Sequence, residues 1–117
     1  MNTPTRIHPD RLPATIRSYL AAHVARDADA ALSAFTSTAV VVDDGTTYRG
    51  SEDIRRFLAR AGSEFTYTTT LVAAERTEDG RWVATNRLEG DFPGGVVDLR
   101  YHFAMDGDLI AELVIAP

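Results

Sequence analysis

Polar side chains that could do chemistry occur where the surrounding sequence pattern is apolar. Tyr19 and His23 lie one turn apart on the apolar stripe of a predicted helix, so both rings can point into the same cavity. Asp43 follows three consecutive valines, at a point where a strand leaves the core and a carboxylate can stand at a pocket wall. Such groups could move a proton with a carboxylate base and stabilise negative charge with a phenol.

Each of these residues also has a purely structural interpretation. Tyr19 and His23 could be core residues with satisfied polar atoms, which are common in folded domains. Asp43 could belong to a turn, although Asp44 and Gly45 alone suffice for a hairpin. The residues by themselves leave both interpretations open.

Alternation within two predicted strands adds further polar groups on inward faces. Between Val96 and Met105 the odd positions are all large, which places Tyr101 on the apolar face. Between Arg81 and Phe92 the even positions form the inward set and include Asn86. A buried amide without a partner costs about 1–3 kcal/mol, so Asn86 requires either a core partner or a ligand.

The composition excludes several other kinds of chemistry. The chain has 117 residues without cysteine, and all twelve basic residues are arginine, so thiol and lysine chemistry are absent. Three histidines without metal-ligand spacing predict no metal site, and we expect no cofactor. A net charge of −5 disfavours nucleic acid and membrane surfaces as partners. The sequence shows no bilayer-length apolar segment and no signal sequence, so we expect a cytoplasmic protein.

Three helices are predicted in the first half of the chain. The first begins at Asp10 and carries the stripe with Tyr19. The second follows the cap Asp27 and carries Phe35 on its inner face, and the third runs from the cap Ser51 to a stop at Gly62. Residues 1–9 are predicted to be a flexible N-terminal arm, and residues 10–117 a single domain.

Strand patterns dominate the second half. A hairpin is predicted around Asp43–Gly45, and four longer runs with period two follow it, at 64–76, 81–92, 96–105 and 109–116. Hairpin loops between these runs predict an antiparallel meander. The fold class is therefore α+β, a cone formed by a curved, mostly antiparallel sheet with three N-terminal helices on one face. A small-molecule pocket would lie at its open end, lined by His23, Phe57, Trp82, Asn86, Leu88 and Phe103.

Residues 17–58 resemble the front half of the nuclear transport factor 2-like (cystatin-like) superfamily. The likeness rests on two successive helices with Phe35 at the end of the second, the hydrophobic strand, and Gly50 before a helix that carries Ile54 and Phe57. It is strongest to the branch of bacterial ketosteroid isomerases and SnoaL-type polyketide cyclases. The resemblance implies a deep apolar pocket and a homodimer packed through the sheet.

The isomerase branch further implies a mechanism in which a carboxylate base moves a proton next to a carbonyl and two donors hold the enolate oxygen. By this resemblance Tyr19 is the helix tyrosine that donates and Asp43 is the base. The chain departs from the pattern at the second donor, where Tyr101 stands in place of a protonated carboxylic acid before His102-Phe103. It also has Leu58 where many isomerases have a supporting tyrosine.

Two functions are consistent with this sequence. The first is a cofactor-independent isomerase or cyclase, with Asp43 as base, Tyr19 and Tyr101 as oxyanion donors, and an apolar carbonyl compound resembling a steroid, terpene or polyketide as substrate. The second is a non-catalytic binding or accessory protein on the same fold, because this superfamily hosts both. The homodimer would use outward residues of the sheet, namely Thr66, Thr68, Thr70, Val96, Asp98, Arg100, His102 and Val114.

Overall fold

The computed structural model describes residues 4–60 and 66–117. Three helices and seven strands follow one another along the chain. They are β1 (Thr5–Ile7), α1 (Ala14–Val24), α2 (Ala28–Leu32), β2 (Phe35–Asp43), β3 (Thr46–Arg49), α3 (Gly50–Arg60), β4 (Tyr67–Arg76), β5 (Trp82–Gly90), β6 (Val96–Asp106) and β7 (Leu109–Ala116). No helix among the described residues is long and apolar enough to cross a membrane.

The strands form one sheet in the order β1-β4-β5-β6-β7-β2-β3. β4 to β7 make the predicted antiparallel meander, and β2–β7 is the one parallel pair among the described strands. Three helices on a seven-stranded, mostly antiparallel sheet confirm the α+β cone. The inward positions of Asn86, Tyr101 and Phe103 are also confirmed, since all three are buried, although Val83 of the outward set of β5 is buried as well.

Local interactions fix the helices over the sheet. The Asp27 carboxylate accepts a hydrogen bond from the backbone N–H of Ala30, which confirms the predicted cap of α2. Thr15 near the start of α1 donates to the carbonyl of Asp108 in the β6–β7 turn at 2.6 Å. The Arg55 guanidinium of α3 pairs with Asp29 of α2 at 2.7 Å. The Thr15 contact therefore ties the start of α1 to the sheet, and the Arg55–Asp29 pair links α3 to α2.

The chain departs from the predicted pattern near its start. Residues 5–7, predicted as part of a flexible arm, pair with β4 between Ala74 and Arg76. The segment is too short for alternation to show, and backbone pairing with an open sheet edge holds it instead. The first helix begins at Ala14, because Pro9–Arg11 forms a separate 3-10 turn before it. Residues 1–3 lie outside the described chain.

Two other boundaries also differ. Phe35 was predicted on α2 but begins β2, where it lies opposite Ile110, because the carbonyl of Ala34 already accepts the N–H of Ile110. The third helix begins at Gly50, one residue before the predicted cap Ser51. The predicted helix stop at Gly62 and the predicted strand start at residue 64 lie outside the described residues.

Candidate active site

A cavity of about 400 Å³ opens where β2 ends and β4 begins. Asp43, the last residue of β2, and Tyr67, the first residue of β4, both lie in its wall. Asp44 also lines the cavity. The other described lining residues are apolar: Leu88, Phe92, Pro93, Val97, Leu99, Ile115, Ala116 and Pro117. An apolar cavity of this size with a few polar groups in its wall suits a small organic molecule.

Asp43 is held in this wall by strand pairing on both sides. It lies opposite Thr46 in β3 and opposite Ile115 in β7. The turn itself is made by Asp44 and Gly45, whose φ angles of 51° and 78° fit the tight hairpin type. Asp43 is therefore a strand residue, and its side chain is not needed to close the turn.

The environment of the Asp43 carboxylate favours its neutral form. Across residues 4–60 and 66–117 no side chain forms a hydrogen bond or ion pair with this carboxylate. Burial raises the pKa of Asp43, because desolvation disfavours the charged state, and the adjacent Asp44 raises this pKa further. A half-buried carboxylate with a raised pKa beside an apolar cavity is suited to accept a proton at neutral pH.

Tyr19 lies at the centre of an aromatic cluster in the core. Its side chain is 0% exposed, stacks on His23 at 5.8 Å and meets Phe35 and Phe103 edge-on at 5.3 and 5.9 Å. Its hydroxyl has no hydrogen-bond partner among the described residues. An unsatisfied buried hydroxyl costs about 1–3 kcal/mol and calls for an explanation.

Tyr101 lies beside this cluster and next to a polar side chain. It is 3% exposed, and the side chain of Asn86, itself 3% exposed, lies near enough to its hydroxyl to lower the pKa of the phenol against the larger effect of burial. The ring of Tyr101 lies 6.2 Å from that of His23 and 6.5 Å from that of Phe103. Asn86 therefore has a polar neighbour in the core.

Four titratable groups influence one another here. Burial raises the pKa of Tyr19 and of Tyr101, and charge on Asp43 or on Tyr67 raises both values further. The structure thus brings Tyr19, Tyr101 and Asp43 within electrostatic range. The four groups differ in access, because Asp43 and Tyr67 line the cavity whereas Tyr19 and Tyr101 are buried.

His23 contacts the rings of both Tyr19 and Tyr101 in the aromatic cluster. Burial lowers the pKa of His23, so the imidazole is neutral at physiological pH. It lines a second cavity of about 340 Å³ together with Val24, Arg26, Tyr67, Thr68 and Thr69. His23 therefore stacks on Tyr19 and contributes to a wall without carrying charge.

Tyr67 is a polar residue of the site that the sequence pattern did not predict. It lines both the Asp43 cavity and the His23 cavity, so it separates the two. Burial raises the pKa of Tyr67, the positive charge of Arg26 lowers it, and the charge of Asp43 raises it. The signal was present: Thr66, Thr68 and Thr70 were predicted to face outward, which places Tyr67 on the inward face.

The residues predicted to line the pocket divide between cavity and core. Leu88 lies in the wall of the Asp43 cavity. Asn86 lines a third cavity of about 450 Å³ between α1, β4 and β5. Phe57 and Phe103 are 4% and 0% exposed and pack in the core, and they line none of these three cavities.

Trp82 lies at the opposite end of the sheet from the Asp43 cavity. Leu88 lies six positions further along β5, which amounts to roughly 20 Å along a strand. The guanidinium of Arg76 lies over the partly buried ring of Trp82, 4.9 Å from the ring centroid. Trp82 faces inward as predicted, but alternation gives the face of a strand residue and not its distance from the open end.

Gly90 makes the position of Tyr67 sensitive to a single methyl group. The two residues are paired across β4 and β5. A Cβ at Gly90 would overlap the carbonyl oxygen of Thr66 and lie 2.6 Å from Tyr67 Cβ. We expect Gly90→Ala to lower the free energy of unfolding by about 1–3 kcal/mol and to displace Tyr67.

Urea unfolding measures the loss of stability, and a crystal structure of the variant locates Tyr67. Glu89→Ala, an exposed change one residue away, serves as control and should stay within about 0.5 kcal/mol of wild type. An unchanged midpoint for Gly90→Ala would contradict the close packing of these strands.

The donor set of the site points to acid–base chemistry. In the described part of the chain no group of three or more histidine, aspartate or glutamate side chains could hold a metal ion. Among its described lining residues the cavity offers two carboxylates, Asp43 and Asp44, that can accept a proton and one phenol, Tyr67, that can donate a hydrogen bond. This arrangement can bind an apolar molecule with a polar oxygen and can move a proton on it.

The chain belongs to the SnoaL-like family. The family model for the SnoaL-like domain matches residues 16–113, which spans the helices and nearly all of the sheet. The family lies within the nuclear transport factor 2-like superfamily, which confirms the resemblance seen in the sequence. No curated protein sequence matches the chain.

Solved structures share the fold over most of their length. A protein from Sinorhizobium meliloti, provisionally described as a polyketide cyclase, superimposes with a TM-score of 0.84 at 28% identity, covering 94% of this chain and 100% of that one. A Sphaerobacter thermophilus protein gives a TM-score of 0.75 at 24% identity, covering 87% and 91%. A protein from Catenulispora acidiphila, described as having a ketosteroid isomerase-like fold and solved with trimethylamine, gives 0.76 at 20% identity, covering 90% and 85%.

Proposed function

We propose that this protein is a cofactor-independent enzyme that transfers a proton on a carbon next to a carbonyl group. Asp43 is the base, and phenolic hydroxyls stabilise the enolate oxygen that develops. The observation that carries the proposal is the half-buried Asp43 carboxylate, with its raised pKa, in the wall of an apolar cavity of about 400 Å³.

The position of Asp43 supports the role of base. A carboxylate accepts a proton most effectively when its pKa approaches that of the reacting group, and desolvation moves Asp43 in that direction. Backbone pairing on both sides of β2 holds the residue, so its approach to a bound substrate costs little reorganisation.

The phenols support stabilisation of the enolate in two ways. Tyr67 shares the cavity with Asp43 and could donate directly to a bound oxygen. The Tyr19 hydroxyl is buried without a partner in the described structure, as expected of a donor kept for a ligand. Tyr101 supports the arrangement through its ring contact with His23.

The substrate class follows from the lining. Leu88, Val97, Leu99 and Ile115 present aliphatic surface, which favours an apolar carbonyl compound resembling a polyketide, terpene or steroid. The similar Sinorhizobium protein, provisionally described as a polyketide cyclase, agrees with this class.

A non-catalytic binding protein is the alternative, and one observation favours it. Tyr19 and Tyr101 are 0% and 3% exposed, so neither hydroxyl reaches the Asp43 cavity without movement of the wall. A protein that only binds would need the apolar lining but neither a base nor donors to an enolate oxygen.

Solvent deuterium exchange distinguishes the two functions. A bicyclic β,γ-unsaturated ketone, incubated with the protein in D₂O and followed by NMR, should exchange the hydrogens between carbonyl and alkene faster than in buffer alone. Shift changes in the protein spectrum report binding independently. Binding without faster exchange would refute the catalytic proposal in favour of the binding protein.

We further propose that two copies associate through the outer face of the sheet. This face carries exposed Thr70 and Val96, the latter 56% exposed, beside the paired charges of Arg87 and Asp98 at 2.8 Å. Patches that mix apolar and paired polar groups are common at protein interfaces.

Light scattering during gel filtration at micromolar concentration should give twice the mass of one chain. Val96→Glu places an unpaired charge in the patch and should yield monomers, whereas Leu109→Glu, at the β6–β7 turn, should remain dimeric. A monomeric wild-type protein would exclude this assembly.

A further inference from the structure

Arg26 lies in the wall of the second cavity, beside the proposed active site. This cavity of about 340 Å³ shares Tyr67 with the Asp43 cavity, so the two adjoin. Its other lining residues are His23, Val24, Thr68 and Thr69. Among the lining residues that the structure describes there is no carboxylate, and each polar side chain can donate a hydrogen bond.

The guanidinium of Arg26 forms no ion pair within residues 4–60 and 66–117. Many arginines elsewhere in the fold have carboxylate partners, among them Arg55, Arg87 and Arg100. The adjacent carboxylate of Asp27 accepts the N–H of Ala30 instead. Arg26 is therefore a cation without a counter-ion, although acidic residues outnumber basic ones by seventeen to twelve.

The backbone at Arg26 makes this residue type unexpected. Arg26 follows α1 with a φ of 57°, in the left-handed region that usually holds glycine at a helix end. The N–H of Asp27 bonds to the carbonyl of Ala22 and that of Arg26 to the carbonyl of His23, the usual pattern of such a helix end. Glycine would suit this position better, so the helix end does not explain the arginine.

Arg26 acts electrostatically on Tyr67, the residue that lines both cavities. Both side chains line the same cavity, and the positive charge of Arg26 lowers the pKa of Tyr67 by stabilising the ionised phenol. A carboxylate in this cavity could accept hydrogen bonds from both groups, and arginine matches the two oxygens of a carboxylate in a planar arrangement.

We propose that Arg26 and Tyr67 form a carboxylate-binding subsite, so that the natural ligand is an apolar carbonyl compound that carries a carboxylate group. The inference rests on the proposed function, because it places the carbonyl in the Asp43 cavity and the carboxylate on the far side of Tyr67. Arg26 acts in binding and specificity, and the proton transfer itself remains with Asp43.

Binding of two matched probes tests the subsite without any turnover. The probes are 3-(2-naphthoyl)propionate, a ketone with a carboxylate, and its neutral carboxamide, with affinities measured by NMR titration. Wild type should bind the carboxylate about tenfold more tightly, as expected for charge-assisted hydrogen bonds. Arg26→Gln should abolish this preference. Arg6→Gln removes the same charge on β1, at the opposite end of β4 from Tyr67, and should preserve it.

Arg26→Gly shows that any loss does not come from unfolding. Because glycine suits the left-handed backbone, the melting temperature of this variant should rise by about 3–6 °C while the preference for the carboxylate disappears. A preference that persists in Arg26→Gln, or that wild type lacks, overturns the subsite. Lost proton exchange with an intact, Arg26-dependent preference would instead refute the catalytic proposal and leave the subsite standing.

Discussion

Asp43→Asn should slow deuterium exchange into the β,γ-unsaturated ketone by about 10²- to 10⁴-fold while binding of the ketone is nearly unchanged. The amide preserves the shape of the side chain but cannot accept a proton, and general bases contribute factors of this size. The cavity wall should remain intact, because strand pairing with Thr46 and Ile115 holds position 43 through the backbone.

Asp106→Asn is the matched control. Asp106 also ends a strand directly before a turn that contains glycine, but it lies at the far end of β6 and is exposed. Its replacement should leave exchange unchanged. Equal exchange in wild type and Asp43→Asn would remove Asp43 from the mechanism.

The raised pKa of Asp43 predicts a particular dependence on pH. Exchange requires the ionised carboxylate, so its rate should rise with pH through a midpoint above that of an ordinary aspartate. The contribution of Asp43 to the free energy of unfolding should instead fall as pH rises. Because the folded state holds the proton more tightly, this contribution is full below the unfolded pKa and is lost as pH rises through the folded pKa. Urea unfolding at several pH values should show that slope in wild type and not in Asp43→Asn.

Alternation made the buried part of the site predictable. Because side chains of a strand alternate between faces, the sequence alone placed Asn86 and Tyr101 inward, and both are 3% exposed. The requirement that a buried amide be satisfied predicted a polar neighbour or a ligand for Asn86, and Tyr101 is a polar neighbour. The same reasoning could not identify Tyr101, because register decides which residues of two strands lie side by side.

The walls of the cavities were less predictable. Trp82 and Leu88 share one face of β5, yet only Leu88 lies at the Asp43 cavity, because position along a strand depends on how the whole sheet is assembled. Tyr67 begins β4, where a run of threonines gives little hydrophobic contrast between the faces. Arg26 could not be placed at all, since its left-handed backbone follows from the end of α1 and not from any periodic pattern.

Tyr19→Phe should make the protein more stable and less active. The Tyr19 hydroxyl is buried without a partner in the described structure, so its removal relieves a desolvation cost of about 1 kcal/mol or more. If this hydroxyl donates to the enolate oxygen, its loss should also slow exchange by about 100-fold, as for other single donors of this kind. A residue that only packed would not show these two effects together.

Tyr101→Phe is the matched comparison, because the same atom is removed from a neighbour whose hydroxyl lies near a polar side chain. The change takes a polar neighbour away from the Asn86 amide, which is 3% exposed, so unfolding should become easier by about 1–3 kcal/mol. Urea unfolding measures whether each substitution raises or lowers the free energy of unfolding, and deuterium exchange measures the activity of each variant. If Tyr19→Phe were destabilised as much as Tyr101→Phe, the hydroxyl of Tyr19 would have a structural partner and would not be reserved for a ligand. If Tyr19→Phe gained stability and kept full exchange, the donor to the enolate would have to be Tyr67, which shares the cavity with Asp43.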